Sequence, residues 1–229
     1  MYPMMMDSTY LLLIPALLLT VFAQMKVKSA FAMYSEVRSL KGVTAGTVSR
    51  RLLDSFGLER VKIERVPGSL TDHYDPASKV LRLSDSVGDS SSIAAIGVAA
   101  HEVGHAMQDK SGYAPLKIRN SMVPVANIGS MAAFPLFIMG LILGVLPLIN
   151  LSILLFSGVV LFHLVTLPVE FDASSRALRL LSASGTLTKD EITGAKKVLD
   201  AAALTYVAAM VMALLNLARL LLIARRRRD

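Results

Sequence analysis

The apolar positions of this chain fall into long, nearly uninterrupted blocks set on either side of one extended polar region. A soluble helix carries its apolar residues at intervals of three and four, on one face. Several stretches here are apolar on all faces for longer than a bundle core needs, which a bilayer explains. Tyr10 to Ala23 is the first such run, ending just before Lys26 and Lys28, and it reads as a transmembrane helix. A cleaved signal peptide is the rival reading, since Val21-Phe22-Ala23 loosely fits a cleavage site, but no positive charge precedes the run. Val123 to Leu148 and Leu151 to Leu167 read as a transmembrane hairpin with its turn near Pro147 and Asn150. Pro124, Pro135 and Gly140 would weaken a helix in water, whereas membrane helices tolerate them. Ala201 to Ala218 is a fourth, Ala-rich span closed by Arg219, which is placed to snorkel towards head groups.

Between the first two apolar blocks the periodicity changes. Thr44 to Gly57 reads as a helix with Val48, Leu52, Leu53 and Phe56 on one face and Gly57 as its stop. Val61, Ile63 and Val66 alternate as a strand before Pro67-Gly68, and Val80, Leu81 and Leu83 make a second strand after the turn signal Asp75-Pro76. A helix from about Ser90 to Gln108 follows, with Ser91 or Ser92 near its cap. A second polar stretch with a helical pattern runs from Glu170 to Asp200. The expected fold class is therefore a mainly α membrane protein, with about four transmembrane helices and a small α+β domain. Its expected parts are an N-terminal anchor at 1–24, an α+β region at 25–120, a transmembrane hairpin at 121–168, a loop and helix at 169–200, and a last span with a basic tail at 201–229.

Composition agrees with the pattern: 54% of the residues are hydrophobic and 18% charged. The absence of cysteine removes disulfides, thiolate metal sites and cysteine nucleophiles, so any metal must be held by His, Asp or Glu. A net charge of +7 does not point to nucleic acid, because the basic residues form no stripe interleaved with aromatics. Membrane lipids are the expected anionic neighbour.

The chemistry is concentrated in Ala99-Ala100-His101-Glu102-Val103-Gly104-His105-Ala106-Met107-Gln108. On a helix, His101 and His105 project from one face about one turn apart and can grip one zinc ion. Glu102, beside the first of them, reaches a water activated by that zinc without itself being a ligand. It is the expected general base, taking the proton of the attacking water and returning it to the leaving amine. The bland alternative is a pair of satisfied core histidines. Two of only four histidines fall in this motif, on a helix of small residues that suits burial. A catalytic zinc usually takes three protein ligands, and Glu170, Asp172 and His163 are the candidates for the third. Glu170 follows Pro168 and would lie in the first turn of a helix, where an acid suits the dipole.

These motifs resemble the YugP-type neutral zinc metallopeptidases, a bacterial membrane family. The resemblance is carried by Asp72-His73-Tyr74-Asp75-Pro76 leading to Leu81-Arg82-Leu83-Ser84, by Ile93-Ala94-Ala95-Ile96-Gly97-Val98 running into the HExxH segment, and by Leu167-Pro168-Val169-Glu170-Phe171-Asp172-Ala173-Ser174. It implies a gluzincin-like site in which a glutamate from a later helix joins the two histidines, a role that falls on Glu170. More distantly, the last stretch is similar to the Glu-x-x-x-Asp helix of HtpX-like membrane proteases, with Ser174 where those have Asp.

The expected function is that of an integral-membrane zinc endopeptidase acting on a protein or peptide substrate. A membrane-protein partner or a second copy of the chain is left open. Val80 to Ser84 is a candidate edge strand for substrate, and His73, Tyr74, Arg176 and Tyr206 are candidate oxyanion donors. Two other classes compete. One is a catalytically silent membrane scaffold that keeps zinc for stability, which would not need Glu102. The other is a divalent-metal transporter, which would need polar ligands inside several spans, where only His163 stands out. Basic residues Lys26, Lys28, Lys117, Arg119, Arg176, Arg179, Lys196 and Lys197 favour a cytoplasmic catalytic region in the cell membrane, while Arg225 to Arg228 argue the other way.

Overall fold

A computed structural model describes residues 8–225. The chain divides into two compact units, one formed by Met1–Gln24, Lys117–Leu167 and Thr205–Asp229, the other by Met25–Leu116 and Pro168–Leu204. Arg226 to Arg228 of the basic tail lie outside the described residues.

The first unit is built from parts of four long helices. A 3-10 segment, Ser8–Leu13, runs into α1 (Ile14–Ser35), followed later by α4 (Ala114–Leu143), α5 (Leu146–Ala183) and α6 (Lys189–Arg225). All four are long and apolar enough to cross a membrane, yet only 11% to 28% of each most apolar stretch is buried. Residues such as Leu18, Met131, Ile142 and Leu154 face outwards, which a lipid surrounding favours and water would not. A small core does form where Phe137 and Leu141 meet Ile149, Leu220 and Ala224. A Cβ placed on Gly129 would lie 2.6 Å from the Leu155 carbonyl oxygen, so α4 and α5 approach closely because a glycine is there. The chain is thus a multi-pass membrane protein.

Three details of this unit depart from expectation. The hairpin turns at Gly144-Val145, earlier than Pro147, because Gly144 adopts φ +68°, the left-handed geometry that ends a helix. Pro147 falls in the first turn of α5, where its missing N–H costs nothing. Arg219 is buried rather than snorkelling: its Nε donates to Thr9 Oγ1 at 3.2 Å, and its guanidinium lies 3.6 Å from the centre of the Tyr10 ring. Finally, α6 is one continuous helix of 37 residues, where a polar loop and a separate marginal span were expected.

The second unit contains α2 (Ala45–Ser55), a three-stranded sheet of β1 (Lys62–Val66), β2 (His73–Asp75) and β3 (Val80–Ser84), and α3 (Ile93–Lys110). Helix α2 is capped by Thr44, whose hydroxyl accepts from Thr47 N at 3.3 Å, and buries Val48, Leu52 and Leu53 as its spacing predicts, whereas Phe56 lies past its end and stays 38% exposed. The sheet order is β1-β3-β2, with β1 parallel to β3 and β2 antiparallel to it through Tyr74↔Leu81. The candidate substrate strand Val80–Ser84 is therefore central, bonded on both sides, and offers no free edge. Strand β2, which the sequence showed only as a turn signal, occupies one edge. Its Asp75 organises the turn into β3: one carboxylate oxygen accepts from Ala77 N at 2.9 Å and the other from the Ser78 hydroxyl at 2.6 Å, which holds its pKa well below the usual range.

Helix α3 is capped by Ser92, whose hydroxyl accepts from Ala95 N at 3.2 Å, and it is buried nearly all round by the core that includes Leu53, Leu81, Leu83, Leu181 and Leu199. Helix α5 does not begin after Pro168 but runs straight through it, so Glu170 lies well inside a helix and the dipole argument for it lapses. The chain's membrane setting lets the proline pass without a break.

Candidate metal centre

His101 and His105 stand one turn apart on α3, with ring centres 4.7 Å apart and planes at 86°. Glu170 enters from α5, almost completely buried, with Oε2 3.2 Å from His101 Nε2 and 3.7 Å from His105 Nε2. Among the described residues these three form the one group of three or more His, Asp or Glu side chains placed to hold a metal ion, their ligand atoms lying within 4.8 Å of one another. The approach depends on Gly104, since a Cβ there would lie 2.5 Å from the Ala173 carbonyl oxygen on α5.

The hydrogen bonds on the far side of each imidazole test whether this donor set fits zinc. His101 Nδ1 lies 3.1 Å from the Ser174 hydroxyl, and His105 Nδ1 lies 2.9 Å from Gln108 Oε1. Each ring is thus held at Nδ1, which leaves Nε2 of both facing the Glu170 carboxylate. Two imidazole nitrogens and one carboxylate oxygen are a usual catalytic zinc set, with second partners orienting the rings. The residues fit.

Glu102 is buried beside the group, and its Oε2 accepts from the Tyr74 backbone N–H at 2.9 Å. Burial raises its pKa, against the opposing pull of His105 and His101. For His105, burial favours the neutral ring, but hydrogen bonding to Glu170 and the nearby Glu102 charge outweigh it and the pKa rises. The helix thus places a buried carboxylate of raised proton affinity next to the three-residue cluster.

The other singled-out residues are engaged elsewhere. Asp172 is absent from the cluster and binds Arg176 Nε at 2.6 Å and Gln108 Nε2 at 2.9 Å. His163 is likewise absent from it and stacks edge-on against Phe162. The Tyr74 hydroxyl donates to Asp109 at 2.7 Å, which with burial raises its pKa far above normal. The Arg176 guanidinium, besides holding Asp172, lies over the Tyr113 ring, and His73 Nδ1 lies 2.9 Å from the Thr71 carbonyl oxygen. Tyr206 belongs to the first unit. Gln108, and the use of Asp172 as its partner rather than as a ligand, escaped sequence reasoning. The readable hint was Gln108 three residues beyond His105, on the same helix face.

A histidine pair and a later glutamate on a chain with four membrane-length helices define the class of membrane-bound zinc metallopeptidases. The chain belongs to the family described as "Putative neutral zinc metallopeptidase", whose profile matches residues 9–225. It is similar to "Putative membrane protease YugP" of Bacillus subtilis (strain 168), at 50% identity over 218 residues, covering 95% of this chain and 97% of that protein. No solved structure matches the chain.

Proposed function

We propose that His101, His105 and Glu170 hold one zinc ion through the two Nε2 atoms and the Glu170 carboxylate, and that Glu102 is the general base of an endopeptidase. The observation that carries this reading is the convergence of the three ligand atoms beside a buried carboxylate that is not one of them. A zinc ion held by these residues would supply a Lewis acid towards water and a peptide carbonyl. Glu102 receives the water's proton on one carboxylate oxygen while the Tyr74 N–H holds the other, and then delivers that proton to the leaving nitrogen. The substrate expected for such a site is a protein or peptide.

Residues 25–120 together with 169–200 make the catalytic part, the latter supplying the third ligand. Residues 1–24, 121–168 and 201–229 are its anchor, hairpin and last span. The basic residues flanking the spans favour a cytoplasmic catalytic part in the cell membrane.

The test is zinc content and cleavage of a quenched fluorescent unstructured peptide by purified wild type, Glu102→Gln and Glu170→Ala. Glu102→Gln is expected to keep zinc and lose activity by about 100- to 10,000-fold, while Glu170→Ala loses zinc. Full activity in Glu102→Gln would sink the mechanism. A zinc-loaded but inactive wild type would instead favour a silent scaffold.

A further inference from the structure

The contacts behind His105 form a chain of four side chains with fixed polarity. Gln108 is fully buried, and its amide Nε2 lies 2.8 Å from the Val169 carbonyl oxygen and 2.9 Å from Asp172 Oδ2. A carbonyl and a carboxylate can only accept, so both amide hydrogens are committed to them and the amide oxygen must face His105. That oxygen can only accept, so His105 carries a hydrogen on Nδ1 and is left with Nε2 as the atom that can ligate a metal. Asp172 is held in turn by Arg176 Nε at 2.6 Å, four residues along α5.

We infer that Gln108, locked by Asp172 and Val169, is the residue that fixes the tautomer and orientation of His105 as a zinc ligand, with Asp172 acting only through Gln108. The inference rests on the zinc reading above. Ser174 Oγ stands opposite His101 Nδ1 at 3.1 Å. The carboxylate of α5 that supports a ligand histidine serves the second histidine, through an amide, rather than the first. An amide carries no exchangeable charge, so this arrangement orients the ring without offering its proton a base.

The experiment is a double-mutant cycle on zinc affinity, measured by chelator competition on the purified full chain in detergent. Gln108→Ala is expected to weaken zinc binding by about 10- to 100-fold, and Asp172→Asn by a smaller factor. Because Asp172 acts through Gln108, the double variant should bind zinc no more weakly than Gln108→Ala alone. Gln108→Glu, nearly the same shape, keeps an acceptor for His105 but sets a carboxylate against Asp172 and Val169, so it should also weaken binding. It serves where Gln108→Ala fails to fold. Two-bond proton–nitrogen NMR of the four histidines should show His105 protonated at Nδ1 in wild type and a mixture of tautomers in Gln108→Ala. Multiplying effects of the two substitutions, unchanged affinity in both Gln108 variants, or an unchanged tautomer would overturn the role of Gln108 while leaving the zinc reading intact. A wild type that binds no zinc would overturn both.

Discussion

Glu102 combines two properties that seldom meet: it is a carboxylate with almost no exposure, and it is held by a single backbone N–H rather than by a cation. The groups around it are His101, His105, Glu170 and Asp72, and burial is the largest influence, raising its pKa. A base must be deprotonated to work, and a raised pKa means the proton is taken up at a higher pH than an ordinary glutamic acid would allow. Activity therefore falls as pH drops through this raised value. The acid limb of kcat/KM is expected above the ordinary carboxylate range of about 4.3, in samples whose zinc content is checked at each pH. An acid limb that stays in place in a zinc-retaining Glu102→Asp variant would mean that Glu102 is not the titrating base.

At the scale of elements, the site exists because α3 and α5 come unusually close. Gly104→Ala would place a Cβ 2.5 Å from Ala173 O and 3.1 Å from Ala173 C, backbone atoms that cannot rotate away. The helix gains propensity of about 1 kcal/mol, but separating the two helices costs about 1–3 kcal/mol and withdraws Glu170 from the histidines. The expected outcome is a lower thermal midpoint and weaker zinc binding. Gly97→Ala, whose Cβ would meet Ala195 Cβ at 3.3 Å and its backbone no nearer than 3.6 Å, should be much milder. Equal behaviour of the two variants would contradict the close-approach argument. The same elements mark what could be read in the sequence. The histidine pair was legible because an i, i+4 spacing is a local property of one helix, and α2, β1, β3 and α3 were legible from their periods and caps. The three-residue β2 was not, because a single inward residue, Tyr74, sets no period. The join of Gln108 to Asp172 was not either, since it spans 64 positions and depends on how two helices pack. Pro168 misled for a related reason: the rule that proline stops a helix is a rule for water, and α5 runs on from a membrane.

For the whole molecule, chain connectivity makes sidedness measurable. One membrane-length helix, α4, separates the polar segment that carries α3 from the turn at Gly144-Val145, so an α4 that crosses predicts the two on opposite faces of the bilayer. The chain has no cysteine, so a single introduced thiol reports its own compartment. Leu40 is 82% exposed and Val145 37% exposed, so both accept a cysteine without disturbing a core. With the catalytic part in the cytoplasm, a membrane-impermeant maleimide should label Val145→Cys but not Leu40→Cys in intact cells, and the pattern should reverse in inverted vesicles. The opposite pattern would place the zinc site outside, where the basic residues that flank it would run against the positive-inside tendency. Labelling of both thiols from one side would mean that α4 does not cross, and the four-span topology itself would have to be abandoned.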